Sequence, residues 1–274
     1  MTNSLNNNKI AIIGAGKMGE TLVSGMLSAG IVNKQQLIAT DKNSNRVSYM
    51  KSTFGIEATT DNREAAGQAD IILLCLKPQV AASIVAGFED VVKPDQLVIS
   101  IMASATSALI ENYFSNDVPV MRAMPNTPSQ VRAGMTALAA GEFAGEAQFQ
   151  ICEDIFNSVG RTLRIDEKHF DAVTGLSASG PAFIYVVIEA LAEGGVKSGL
   201  PRDIATELAA QMTLGSAKMV IETGNHPAIL KDHVTTPAGC TVDGLLKLEE
   251  GGLRVTLIKA VNEATRRAKA LVND

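Results

Sequence analysis

The sequence predicts an α/β fold, with a doubly wound parallel sheet over residues 1–165 and an all-α domain over 166–274. Three observations carry this. Short β-rich runs alternate with helix-length segments through the first part of the chain, as in a sheet crossed repeatedly by helices. Several runs are apolar throughout rather than alternating, which is how strands covered on both faces read. After RTLRID (161–166) the strand pattern stops and only helical patterning remains.

The candidate strands, in order, are KIAIIG (9–14), QLIAT (36–40), DIILLCL (70–76), QLVISI (96–101), VPVMRAM (118–124) and MTALAA (135–140). From Phe170 three long helical stretches follow, opening at PAFIYVV, PRDIATE and LRVTLIK. Pro181 and Pro201 suit first-turn positions, and Gly199 and Gly224 suit helix ends. The segment Ala182–Ala192 is apolar nearly all round, and such a helix has to be buried on every side. A domain of this size has little of its own to cover it, which predicts a homodimer; a tightly packed monomeric bundle is the alternative.

Composition excludes several classes. The 274 residues are 46% hydrophobic with net charge -5, enough for a large core and wrong for a polyanion partner. No Trp, 4% aromatics and no basic cluster argue against nucleic-acid binding by stacking. Cys75, Cys152 and Cys240 are odd in number and far apart, which suits a reducing cytoplasm and gives neither a disulfide framework nor a metal site. The start, MTNSLNNNK, reads as a polar tail rather than a leader. The longest apolar run, about seven residues around Ala182–Ile188, is short of the roughly 20 that span a bilayer, so a soluble protein without a membrane partner is expected.

The strongest local signal is KIAIIGAGKMGETLV. A short apolar strand runs into Gly14-Ala15-Gly16-Lys17-Met18-Gly19, and a helix follows. Gly14 permits the tight turn, Gly16 lets backbone approach a pyrophosphate, and Gly19 allows close helix–strand packing at a helix start that faces the anion. This predicts a Rossmann-type NAD(P)H site. Asp41 stands about 20 residues on, where an acid binds the ribose hydroxyl of NAD; its alternative role is a helix cap or turn. Thr40, Lys42, Asn43 and Arg46 crowd the same turn and suit a 2′-phosphate, so NADH and NADPH both stay open. Lys77-Pro78 and MPNTP, with Asn126 between prolines, also follow strands: each loop is either a ligand-facing turn or simple Pro punctuation.

Acid–base chemistry is sparse. The three histidines, His169, His226 and His233, belong to no Ser–His–Asp, Cys–His or HExxH pattern. Reducing a carbonyl calls for a positioned acid, whereas a protonated cyclic imine is already electrophilic and needs orientation and a hydride. HVTTPAGCTVDG (233–244) is either a loop and a helix cap or a binding site made mostly of backbone. Thr241 is a candidate N-cap, and free amides at a helix start make an anion site.

Together IGAGKMG, LKPQ, MPNTP, FDAVTGLSASGPAF, EALAEGGVKSGLPR and HPAILKDHVTTPAGCTVDGLLKLEEGGLR resemble the pyrroline-5-carboxylate reductase family over nearly the whole chain. The resemblance implies a Rossmann domain followed by a helical dimerisation domain, with NADPH or NADH reducing 1-pyrroline-5-carboxylate to L-proline. Dimers in turn can build a higher oligomer. By position it implies that Thr236, Gly239, Cys240 and Thr241 grip the substrate carboxylate, with Thr241 on the ring nitrogen as the catalytic contact. It places Glu167 near the substrate. It puts Gly14, Ala15, Gly16, Lys17, Met18, Gly19, Thr40, Asn62, Leu76, Lys77, Pro78, Met102, Ala103, Asn126 and His233 on cofactor-contact motifs, and implies no metal. Met102-Ala103-Ser104 departs from the usual Ala-Ala-Gly, and Ala178, Ala238, Cys240 and His233 are milder departures. Met102 and the loop changes motivate a second reading, reduction of a related cyclic imino acid or a secondary-metabolite imine. A non-catalytic NAD(P)H sensor is a third, against which the intact 236–241 loop weighs.

Overall fold

In the computed structural model, which describes Leu5 and residues 7–270, the chain divides into two compact units. One runs up to Ala178 and takes in the chain from Ala264 onward; the other is Ser179–Glu263. The polar start at residues 1–4 and 6 and the last residues of the closing helical stretch lie outside the described residues.

The first unit is built on an eight-stranded sheet: β1 (Ile10–Ile13), β2 (Leu37–Thr40), β3 (Glu57–Thr59), β4 (Ile71–Leu74), β5 (Leu97–Ser100), β6 (Val120–Met124), β7 (Gly134–Ala140) and β8 (Gly160–Arg164). Their order across the sheet is β3-β2-β1-β4-β5-β6-β7-β8. The helices between them are α1 (Lys17–Ser28), α2 (Ser44–Phe54), α3 (Asn62–Gln68), α4 (Pro78–Val85), α5 (Ser107–Glu111) and α6 (Glu146–Asn157). Side chains alternate along the central strands, so Ile10, Ile12, Ile71 and Leu73 enter one core while Ala11, Ile13, Ile72 and Leu74 enter the other. Both faces are thus covered, which is why these strands carry no polar position. Each fully buried Ile or Leu contributes about 1.5–3 kcal/mol.

Two features differ from the parallel sheet expected. β3, three residues reading Glu-Ala-Thr, has no apolar run to announce it. β7 pairs antiparallel to β6, and β8 then runs parallel to β7. The reason is length. Residues 125–133 join β6 to β7, while a crossover to a parallel strand needs about a dozen residues or more. The chain can only turn back.

After β8 come a 3₁₀ turn at Glu167–His169, α7 (Phe170–Val173) and a π-helical turn at Thr174–Ala178. The second unit holds α8 (Gly180–Lys197), α9 (Arg202–Thr223), α10 (Pro227–Val234), α11 (Cys240–Glu250) and most of α12 (Leu253–Ala270). Pro181 sits in the first turn of α8, while Pro201 is the N-cap of α9; Gly199 and Gly224 adopt the positive φ that ends a helix. The buried cluster of this unit is Ala192, Ala205 and Ala209. A Cβ on Gly195 would lie 3.1 Å from that of Ala205, so α8 and α9 approach closely through small residues. Ile188 and Val196 pack against that cluster, but many bulky side chains face outward: Tyr185 and Val186 on α8 are 61% and 64% exposed. By length and composition the helical run Glu167–Lys197 passes for a membrane span, with mean hydropathy 1.5 and 11% of its window buried.

Candidate functional site

The glycine turn leaves β1 and is closed by β2 and β4. The amides of Gly14 and Ala15 donate to the Thr40 carbonyl at 3.0 and 2.7 Å. Gly14 has φ +97°, and a Cβ there would stand 2.6 Å from the Cys75 carbonyl oxygen and 3.1 Å from Leu76. A Cβ on Gly19 would meet the Gly14 carbonyl at 2.6 Å, so α1 seats directly on the strand end. Gly16 is different. Nothing lies within 4 Å of where its Cβ would be, and as N-cap of α1 it offers no side chain to the first-turn amides. The first-turn amides of α1 thus lack a side-chain acceptor at a positive helix end, which fits a pyrophosphate.

Arg46 braces this turn. Its Nε donates to the Ala15 carbonyl and its Nη2 to Gly16 at 3.3 Å and to Glu20, while the guanidinium lies 4.7 Å from the Tyr49 ring centre. Tyr49 also donates to Glu20 at 2.9 Å. Burial works to raise the Glu20 carboxyl, but the hydrogen bonds from Arg46 and Tyr49 outweigh it and hold the group below its usual range. Asp41 accepts from the Asn43 amide at 2.9 Å, a turn contact, and Asn43 caps α2. The Thr40 hydroxyl donates to Asn62 Oδ1 at 2.6 Å. The structure therefore gathers Gly14–Gly19, Thr40, Asn62 and the Cys75–Leu76 backbone at the C-terminal ends of β1, β2 and β4. Lys77 is the exposed N-cap of α4, with Pro78 in its first turn.

Met102 lies one strand further over, and its side chain is 1% exposed, packed with Ala105, Ile110 and Val120. Its bulk fills the core, so the Met102–Ala103 backbone is what this turn offers a ligand. Asn126 receives the Met135 amide at 3.0 Å on Oδ1 and donates from Nδ2 to the Ser177 carbonyl at 3.2 Å. The Pro-flanked asparagine thus ties the β6–β7 turn to the π-helical turn. Both oxygens of Glu167 are taken: Oε1 accepts from the Ser107 amide at 2.7 Å and from Arg122 at 3.1 Å, and Oε2 from the Ser107 hydroxyl at 2.6 Å. Arg122 is 3% exposed and stacks 4.5 Å from the Phe170 ring centre. Burial pulls its guanidinium below the usual value, and the Glu167 carboxylate opposes this.

In the second unit, Thr236, Gly239, Cys240 and Thr241 form the turn from α10 into α11. Gly239 donates its amide to the Thr236 carbonyl at 3.0 Å, and a Cβ there would lie 2.4 Å from the Thr236 hydroxyl. Ala238 turns the chain at φ +58°. The N-cap of α11 is Gly239, not Thr241, because this tight turn starts the helix at Cys240. Thr241 is in the first turn with its hydroxyl released from capping. A glycine cap again leaves first-turn amides without a side-chain acceptor. Cys240 is exposed, and His233 is exposed in the last turn of α10. His226 is the N-cap of α10, receiving the Ala228 amide on Nδ1 at 3.2 Å.

No group of three or more His, Cys, Asp or Glu suited to a metal ion occurs among the described residues. Ser107 and Arg122 are contributors that the sequence did not single out for these parts, whereas Arg46, expected to suit a 2′-phosphate, is engaged by the glycine turn and Glu20. An arginine inside the apolar run VPVMRAM was the available signal, since a buried charge requires a partner.

A Rossmann sheet with a glycine-turn cradle, followed by a helical unit, defines an NAD(P)-dependent oxidoreductase. Residues 167–271 match the model for pyrroline-5-carboxylate reductase dimerisation, and 9–104 match that for NADP oxidoreductase, coenzyme F420-dependent. The chain is 41% identical to pyrroline-5-carboxylate reductase of Methanosarcina acetivorans, over 97% of this chain and 99% of that protein. It is 39% identical to the Arabidopsis thaliana enzyme over 96% and 95%. Among solved structures, a pyrroline-5-carboxylate reductase from Coxiella burnetii superposes with TM-score 0.91 at 35% identity, covering 97% and 99% of the two chains. The Plasmodium falciparum pyrroline carboxylate reductase with NADP bound gives 0.87 at 31%, covering 97% and 98%. The chain belongs to the pyrroline-5-carboxylate reductase family.

Proposed function

We propose that this protein reduces 1-pyrroline-5-carboxylate to L-proline with NADPH or NADH. The observation that carries the reading is the start of α11, where a glycine N-cap leaves amides for a carboxylate beside the free Thr241 hydroxyl. Bound NAD(P)H supplies the hydride. The residues of this chain bind and orient. Gly14–Gly19, with the first-turn amides of α1, hold the pyrophosphate, and Thr40, Asn62, Leu76, Lys77 and Pro78 line its path along the strand ends. The Met102–Ala103 backbone and Asn126 border the nicotinamide side. Thr236, Gly239 and Cys240 present backbone to the substrate carboxylate, and Thr241 hydrogen-bonds the ring nitrogen. A protonated imine held there would take the hydride at its imine carbon, its C=N π pair becoming the amine lone pair. No strong side-chain acid is required, which agrees with the role of His226 as a cap; His233, exposed in the last turn of α10, is left as a cofactor contact.

The functional division follows the last strand: 1–165 bind cofactor, and 166–274 provide dimerisation and substrate binding. A second copy of the chain covers the exposed apolar faces of α8 and α9, such as Tyr185, Val186, Leu208 and Leu214. The same cover accounts for the apolar run Glu167–Lys197 without a membrane, and a cytoplasmic setting follows from the free cysteines. With Met102 packed into the core, only the loop changes at Ala238 and Cys240 still favour a different cyclic imine as substrate.

The test is oxidation of NADH and of NADPH with 1-pyrroline-5-carboxylate and with six-membered imino acids. Rapid, proline-forming turnover of the five-membered substrate is expected. Cofactor binding with no turnover of any imine would overturn the reading.

A further inference from the structure

We infer that Glu167 is a positioning residue, which acts through Ser107 to fix the 102–106 turn beside the nicotinamide. The inference rests on the proposed reductase activity for the role of that turn, and on separate geometry for the contact itself.

The turn has little regular structure of its own. β5 ends at Ser100, α5 begins at Ser107, and between them Ser104 adopts φ +64°. Left-handed backbone at a residue other than glycine persists only when its surroundings hold it. Three holds are visible. At the strand end, the Ile101 amide donates to the Leu74 carbonyl at 3.3 Å and the Met102 amide to the Ser100 hydroxyl at 3.2 Å. In the middle, the Ser104 hydroxyl donates to the Ala268 carbonyl at 3.1 Å. At the far end stands Glu167, which receives both the amide and the hydroxyl of Ser107.

The last hold is the one with charge behind it. A carboxylate taking an amide and a hydroxyl at 2.7 and 2.6 Å makes two charge-assisted hydrogen bonds. Glu167 is itself held by Arg122, rooted in the buried strand β6 and clamped on Phe170. Through Arg122 and Glu167, Ser107 is therefore anchored to a central strand of the sheet. The partners are 60 and 45 residues from Glu167, so the network ties together three distant segments at one point. With both oxygens engaged inside the first unit, the carboxylate supports backbone more directly than it serves a ligand.

The experiment compares Glu167→Ala, Ser107→Ala and the double variant. It reads NAD(P)H dissociation by nicotinamide fluorescence without substrate, and kcat and KM for 1-pyrroline-5-carboxylate separately. Each single variant is expected to weaken cofactor binding or lower kcat about tenfold, the scale of one charged hydrogen bond. The substrate KM is expected to hold, and the double variant to be no worse than Glu167→Ala, because both act through one contact. Glu167→Gln, which keeps an acceptor for the Ser107 amide, is expected to recover part of the loss. If Glu167→Ala raises the substrate KM alone while Ser107→Ala is silent, Glu167 touches substrate and the inference is overturned. Wild-type behaviour in both single variants overturns it equally. Should Glu167→Ala not fold, Ser107→Ala, which removes one hydroxyl, decides between these outcomes. Failure of the wild-type protein to reduce the imine defeats the functional reading, and the cofactor dissociation constants still judge this one.

Discussion

Gly14 and Cys75 stand so close that a Cβ on Gly14 would meet the Cys75 carbonyl oxygen at 2.6 Å. The glycine turn is thus a contact between the ends of two neighbouring strands, which an added methyl group would force apart. Gly14→Ala is expected to cost roughly 1–3 kcal/mol from positive φ, with the clash in addition. Gly16→Ala meets nothing within 4 Å and is expected to fold normally while losing NAD(P)H affinity. Thermal melts with fluorescence titration separate the two; equal stability losses would refute the assignment of roles.

Thr241 carries the chemistry at the other end of the reading. Thr241→Val keeps the shape and removes the hydroxyl, and kcat/KM for the imine is expected to fall about ten- to hundredfold. Thr241→Ser should restore most of it. NAD(P)H dissociation should be unchanged in both, and a normal kcat/KM in Thr241→Val would remove the residue from the mechanism.

Cys240 gives a chemical handle on the same turn. Its thiol is exposed, whereas burial drives the Cys152 thiol far up its scale and out of reach. Alkylation with iodoacetamide is expected to inactivate the wild-type protein, substrate analogues to slow this, and Cys240→Ala to resist it. Inactivation of Cys240→Ala at the wild-type rate would place the sensitive thiol elsewhere.

Assembly is expected to track the outward apolar faces of α8 and α9. Val186→Asp puts a charge on a 64% exposed position of α8. Sedimentation should show loss of the dimer, with the sheet-bearing unit still giving its β signal in circular dichroism. A stable dimer in this variant would point to a different interface.

The Glu20–Arg46–Tyr49 cluster predicts a pH dependence of known sign. The folded carboxyl titrates below its unfolded value, so its contribution is complete above the unfolded pKa of roughly 4.3. It is lost as pH falls through the lower, folded value. Glu20→Gln should flatten this part of the acid stability curve, by about 1 kcal/mol for a partly exposed pair. Denaturant midpoints measured from pH 6 downwards check it, and parallel curves for the two proteins would contradict it.

Much of the cofactor half was legible because its signal is local. Gly14, Gly16 and Gly19 fall within six residues, directly after an apolar strand, and the structure places them in one turn. The α11 turn was legible as a place but not in detail. Thr241 suited an N-cap by residue type, yet the close packing of Gly239 on Thr236 starts the helix two residues earlier. Glu167 shows where local reading stops. Its partners Ser107 and Arg122 come from distant segments, and nothing in EKH announces them. The reversal of β7 was latent in the sequence, since nine residues cannot make a crossover. Reading it required knowing that β6 and β7 are neighbours.

The second unit keeps alanines inside and its large side chains outside. In the proposed dimer a single chain holds only half of a hydrophobic core, and the other half arrives with another molecule. Folding of this region is then an encounter as much as a collapse. After dilution from denaturant, the sheet-bearing unit should recover at a rate independent of protein concentration. The helices should follow second-order kinetics, so that halving the protein doubles their half-time.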